Sequence, residues 1–98
     1  MIRRLVLDVL KPHNPGIVEL SEKLSELHGV DAVNVLTYEI DKRVENVKII
    51  LGGSDIDFEI VKKELEGLGA DIHSVDEVAA GEKIIEEVRT PQDRYARL

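Results

Sequence analysis

The stretch Ile2–Leu10 reads IRRLVLDVL, and Lys11-Pro12-His13-Asn14-Pro15-Gly16 follows it directly. A short run rich in branched apolar residues predicts a buried strand. Two prolines and a glycine in the next six residues break any regular structure. Beyond them Ile17, Leu20, Leu24 and Leu27 recur at helical spacing, with Val18 widening the stripe. Glu19, Ser21, Glu22, Lys23 and Glu26 fill the opposite face, and His28-Gly29 ends the helix with a left-handed glycine cap. A strand followed at once by an amphipathic helix is the first half of a βαβ unit.

The rest of the chain completes the pattern. Val30–Asp41 predicts a second strand, with Val33 and Val35 on one side and Asn34, Leu36 and Tyr38 on the other. Asp41-Lys42-Arg43 is a polar turn, Val44–Leu51 is a third strand, and Gly52-Gly53 stops it. Ser54 or Asp55 caps a second helix, with Asp57 and Glu59 in its first turn. Its apolar residues are Ile56, Ile60, Val61, Leu65 and Leu68, and Gly67 and Gly69 end it. Ala70–Ala80 is a fourth strand, Gly81 a turn, and Glu82–Val88 a short fifth strand. The order βαββαβ is that of an α+β, ferredoxin-like sandwich. Right-handed crossovers then put both helices on one face of an antiparallel sheet of order 4-1-3-2. The expected organisation is one domain over residues 1–90 and a polar tail over residues 91–98.

Composition narrows the function classes. The 98 residues carry 13 basic and 20 acidic side chains, a formal charge of −7. Phosphate backbones call for the opposite sign, and three aromatic residues leave little for base stacking, so nucleic acid is not the expected partner. No cysteine is present, which excludes a disulfide-linked partner, thiolate metal sites and thiol catalysis. No apolar run is long enough for a bilayer, and Leu5-Val6-Leu7 meets Asp8 too soon for a signal peptide. A cytoplasmic location is expected. Many charges and few thermolabile amides suit a thermostable protein.

With both helices on one face, the other face of the sheet must meet water or a partner. Alternation puts Val6, Leu10, Leu36, Tyr38, Ile50 and Val75 on it, beside Arg4, Asp8, Asn34, Lys48, His73 and Glu77. An apolar patch of this kind marks an interface, so self-association into a homo-oligomer, such as a ring, is expected. Placing Val6 opposite Val75 would pair Arg4 with Glu77 and Asp8 with His73.

The topology gathers Asp8, Lys11, His13, Glu39, Asp41, Glu45 and His73 at one end of the sheet. Asp8, Glu39, Asp41, Glu45 and His73 form the candidate metal set. Carboxylates without thiolates favour calcium or magnesium, and a histidine admits manganese or zinc. Asp55-Ile56-Asp57 opens like a calcium loop but lacks its glycine and distal glutamate, and reads as a helix cap. His13, Asn14 and Gly16 are candidate ligand-binding residues, because a Pro-Gly turn opening the first helix of this topology resembles the amino-acid-binding turn of ACT-type regulatory domains. Asp8 with His73 could orient a general base, but no nucleophile or phosphate loop accompanies them.

Several longer stretches carry a fuller resemblance. They are Leu7-Asp8-Val9-Leu10-Lys11-Pro12-His13, Gly29-Val30 with Val33-Asn34, and Glu39-Ile40-Asp41 with Glu45-Asn46. Ile72-His73-Ser74-Val75-Asp76-Glu77-Val78 and Thr90-Pro91-Gln92-Asp93 complete them. In combination they resemble a small archaeal family of unknown function, domain of unknown function two hundred and eleven. The resemblance implies a ferredoxin-like fold, an archaeal cytoplasmic source, symmetric oligomers and divalent-metal association in some members. It implies no reaction and no catalytic residue. The expected function is therefore a non-enzymatic oligomeric module that binds a divalent cation or small ligand at its acidic sheet end. An ACT-like amino-acid sensor is the alternative.

Overall fold

Strand β1 spans Ile2–Pro12, two residues beyond the expected end, because its alternation continues through Lys11. The computed structural model describes residues 1–86. After β1 come α1 (Ile17–Ser25), β2 (Val30–Ile40), β3 (Val44–Ile56), α2 (Phe58–Gly67) and β4 (Asp71–Ala80). All strand pairs are antiparallel and the sheet order is β2-β3-β1-β4, so the chain has the expected ferredoxin-like βαββαβ topology.

One side of the sheet forms the core. Leu5, Leu7 and Val9 of β1 and Val47, Ile49 and Leu51 of β3 are almost inaccessible to water. They share one cluster with Leu20 and Leu24 of α1 and Val61 and Leu65 of α2, so both helices cover the same face. Each such side chain contributes about 1.5–3 kcal/mol by leaving water. The alternate residues of β1, Arg4, Val6, Asp8 and Leu10, belong to the open face.

Three local expectations change. Gly52-Gly53 does not end β3, which runs on to Ile56. A Cβ on Gly53 would lie 1.9 Å from the Gly29 carbonyl oxygen, so this glycine permits close approach of two backbones rather than breaking a strand. The cap of α2 is consequently Asp57, not Ser54 or Asp55; its carboxylate accepts from the amides of Glu59 and Ile60. Helix α1 closes at Ser25, and the amides of Glu26 and Leu27 donate to the carbonyls of Lys23 and Leu24, a tightened last turn.

The register of β4 also differs. Val6 faces Glu77, Leu7 faces Val75, Asp8 faces Ser74 and Val9 faces Ile72. Irregularities between these pairs insert extra residues on β4 at Asp76 and His73. Val75 therefore joins Leu7 in the helix-side row and leaves the open face, while the Arg4–Glu77 ion pair forms at 3.6 Å. Residues 82–86 carry no strand. The remainder of the expected fifth strand, the domain boundary at residue 90 and the tail over residues 91–98 lie outside the described residues.

Candidate functional site

The end of the sheet anticipated from topology is assembled by three strand pairings. Leu10 faces Asn46 on one side and Asp71 on the other, Lys11 faces Glu45, and Glu39 faces Asn46. The pleat then divides these residues between two faces.

On the helix side, Lys11 is 1% exposed, an unusual place for a lysine. Its Nζ donates to the Pro12 carbonyl at 2.7 Å and to Glu45 Oε1 at 3.1 Å. The other Glu45 oxygen, Oε2, accepts from His13 Nδ1 at 2.9 Å. His13 Nε2 donates to the Lys42 carbonyl at 3.0 Å. Both ring nitrogens therefore face acceptors, an arrangement only the imidazolium satisfies fully. Glu45, then the Lys42 carbonyl, raise the His13 pKa above its ordinary value. The same His13 contact, then Lys11, hold Glu45 below the usual carboxylate range. Asp41 at the hairpin tip accepts from the amides of Arg43 and Val44, each at 3.0 Å, and these bonds lower its pKa.

The open face presents a different chemistry. Asp8 stands opposite Lys48 and Ser74, and Asn46 opposite Leu10, so Asp8 and Asn46 are diagonal neighbours on adjacent strands. Asp8 Oδ1 and Asn46 Oδ1 are both shielded from solvent and accept no hydrogen bond among the described residues. Buried acceptors are nearly always satisfied, so two exceptions at diagonal positions of one sheet face are unusual. Asn46, with Leu10, Glu39, Asp41 and Val44, lines a shallow hollow of about 110 Å³. A carboxylate and an amide oxygen suit a hard cation. No three His, Asp or Glu side chains among the described residues converge as a metal cluster.

The expected site residues are distributed accordingly. Asp8 and Glu39 lie on the open face, Glu45 is engaged by two cationic side chains, and Asp41 organises its own turn. His73 sits at an irregular position of β4, between the Asp8–Ser74 and Val9–Ile72 pairs, so the Asp8–His73 pairing needed for a general base is replaced by Asp8 facing Ser74. Ser74 Oγ itself donates to Asp76 Oδ1 at 2.7 Å. Asn14 is exposed, and Gly16 is the N-cap of α1 without a side-chain cap bond. Val6 is buried, Leu10 and Ile50 are half-buried, and Leu36 and Tyr38 are 44% and 65% exposed. Tyr38 lies at a bulge between the Thr37–Val47 and Glu39–Asn46 pairs. Asn46 was not among the expected residues, although its alternation with Lys48 and Ile50 placed it on the open face.

No helix of the described residues is long and apolar enough to cross a membrane. The family model for domain of unknown function two hundred and eleven, described as uncharacterized ArCR, matches residues 3–94. The chain is also 56% identical over 94 residues to an uncharacterized protein of the archaeon Methanocaldococcus jannaschii, covering 96% of this chain and 97% of that protein. With both matches running through nearly the full length, the chain belongs to this family of uncharacterized proteins.

Proposed function

We propose that the protein is a non-enzymatic, self-associating module that binds a divalent cation, calcium or magnesium, at the acidic end of its open sheet face. The observation that carries this reading is the presence of two buried, unsatisfied acceptors, Asp8 Oδ1 and Asn46 Oδ1, at diagonal positions of the open face. Both are oxygens, the donor type that calcium and magnesium take. Glu39, opposite Asn46, is the nearest additional carboxylate by register. Glu45 is left out, because its two oxygens already meet Lys11 and His13. Water or a second copy completes the shell. Exposed Leu36 and Tyr38, beside half-buried Leu10 and Ile50, support a second copy as the neighbour.

The test is thermal melting of metal-stripped protein with added Ca²⁺ or Mg²⁺. At a hundredfold excess over the dissociation constant, binding adds about 2.7 kcal/mol. For a domain of this size that raises the midpoint by about 10–20 °C. Asp8→Asn should keep the fold and lose most of the shift. No shift in the wild type with either ion would overturn the proposal.

A further inference from the structure

We propose that His13 is a proton-operated latch that fastens the loop between β1 and α1 to the turn between β2 and β3. The geometry is a bridge with two anchors. His13 belongs to the loop, and both of its acceptors, Glu45 and the Lys42 carbonyl, belong to the hairpin. The imidazolium donates to both at once. A neutral ring has one donor nitrogen and one lone pair, so it can hold only one of them. The carboxylate is the stronger acceptor and keeps the remaining proton. Deprotonation therefore leaves the Nε2 lone pair facing the Lys42 oxygen, and the contact with the turn is lost.

The surroundings favour a switch at this position rather than a passive contact. Glu45 stays ionised after His13 loses its proton, because Lys11 Nζ remains 3.1 Å from its other oxygen. The hairpin strand is thus held through Lys11 while its turn is released. The charged groups facing His13 are Glu45 and Lys11 at the sheet end and Asp41 at the turn. Glu45 and Asp41 favour the imidazolium and Lys11 opposes it. The ring is about two-fifths exposed, so the proton exchanges freely with solvent. The turn it grips is itself compact, with the Asp41 amide donating to the Val44 carbonyl at 3.0 Å.

Hydrogen exchange at the Asp41 amide, followed by NMR at pH 5.5 and pH 8.5 and corrected for intrinsic rates, reads the latch directly. In the wild type, protection should fall by about threefold to tenfold at the higher pH, the effect of losing one hydrogen bond. In His13→Ala protection should be low at both values. The His13 imidazole signals, followed in the same spectra, should titrate above the ordinary histidine value of 6.5. Equal wild-type protection at the two pH values would overturn the latch. So would the same pH dependence in His13→Ala. Because neither readout involves a metal ion, failure here is separate from failure of the cation reading.

Discussion

Alanine at Gly53 and alanine at Gly52 should move stability in opposite directions, although the two positions are neighbours in one strand. A Cβ at position 53 would stand 1.9 Å from the Gly29 oxygen and 3.0 Å from its carbonyl carbon. The obstacle is backbone, and Gly29 is itself held at φ +87, where its own Cβ would meet the Asp55 oxygen at 2.1 Å. Neither strand can yield without separating the start of β2 from the end of β3. Overpacking of this kind costs about 1–3 kcal/mol. At Gly52 a Cβ meets nothing within 4 Å, and alanine there should stabilise by about 0.4–1 kcal/mol through the unfolded chain. With about 4–8 °C per kcal/mol in a domain of this size, Gly53→Ala should lower the melting midpoint by roughly 5–20 °C and Gly52→Ala raise it by a few degrees. Thermal denaturation followed by circular dichroism measures both. Equal shifts, or a tolerated Gly53→Ala, would refute the close approach that carries β3 through the glycine pair.

Asp57→Ala should cost about 0.5–2 kcal/mol by removing the α2 cap, whereas Asp55→Ala should be nearly neutral; urea denaturation that ranks them the other way contradicts the assigned cap. Ile49→Ala should cost about 2–5 kcal/mol, because Ile49 is fully buried at the centre of the sheet, and a midpoint unchanged by it would contradict the assigned core. The latch also predicts a pH profile. The raised His13 value makes its contribution fully present below its ordinary value of 6.5 and lost as pH rises through the raised value. The lowered Glu45 value makes its contribution present above 4.5 and lost as pH falls through the lowered value. The stability difference between wild type and His13→Ala should therefore be largest between these limits, and a flat difference across urea titrations from pH 4 to pH 9 would contradict it. Lys11→Met should destabilise more at pH 8.5 than at pH 5.5, since His13 then no longer compensates Glu45; the reverse order would contradict the shared carboxylate.

Hydrophobic period made the element order and sheet topology legible, because the patterns over Ile2–Leu10 and Ile17–Leu27 have distinct spacings. What escaped the pattern were positions where local rules yield to packing. Gly52-Gly53 looks like a strand end, yet Gly53 answers to Gly29, a residue distant in sequence. Alternation cannot announce a bulge, so the irregularities at His73 and Asp76 shifted β4 and removed the expected Asp8–His73 contact. The gathering of charged residues at one sheet end followed from topology alone. Their division between two faces required the register, which joins Lys11 to Glu45 and sets Asn46 beside Asp8. Lys11 could have been placed by extending the alternation of Leu5, Leu7 and Val9, but a lysine at a core position contradicts ordinary burial preference.

We propose that the open sheet face binds a divalent cation between self-associating copies, with Asp8 as a ligand. Native mass spectrometry of metal-stripped protein, before and after adding Ca²⁺ or Mg²⁺, tests it most directly. A defined oligomer should gain one ion per subunit, and the Asp8→Asn variant should gain none. A spectrum that stays monomeric and metal-free with both ions would contradict it.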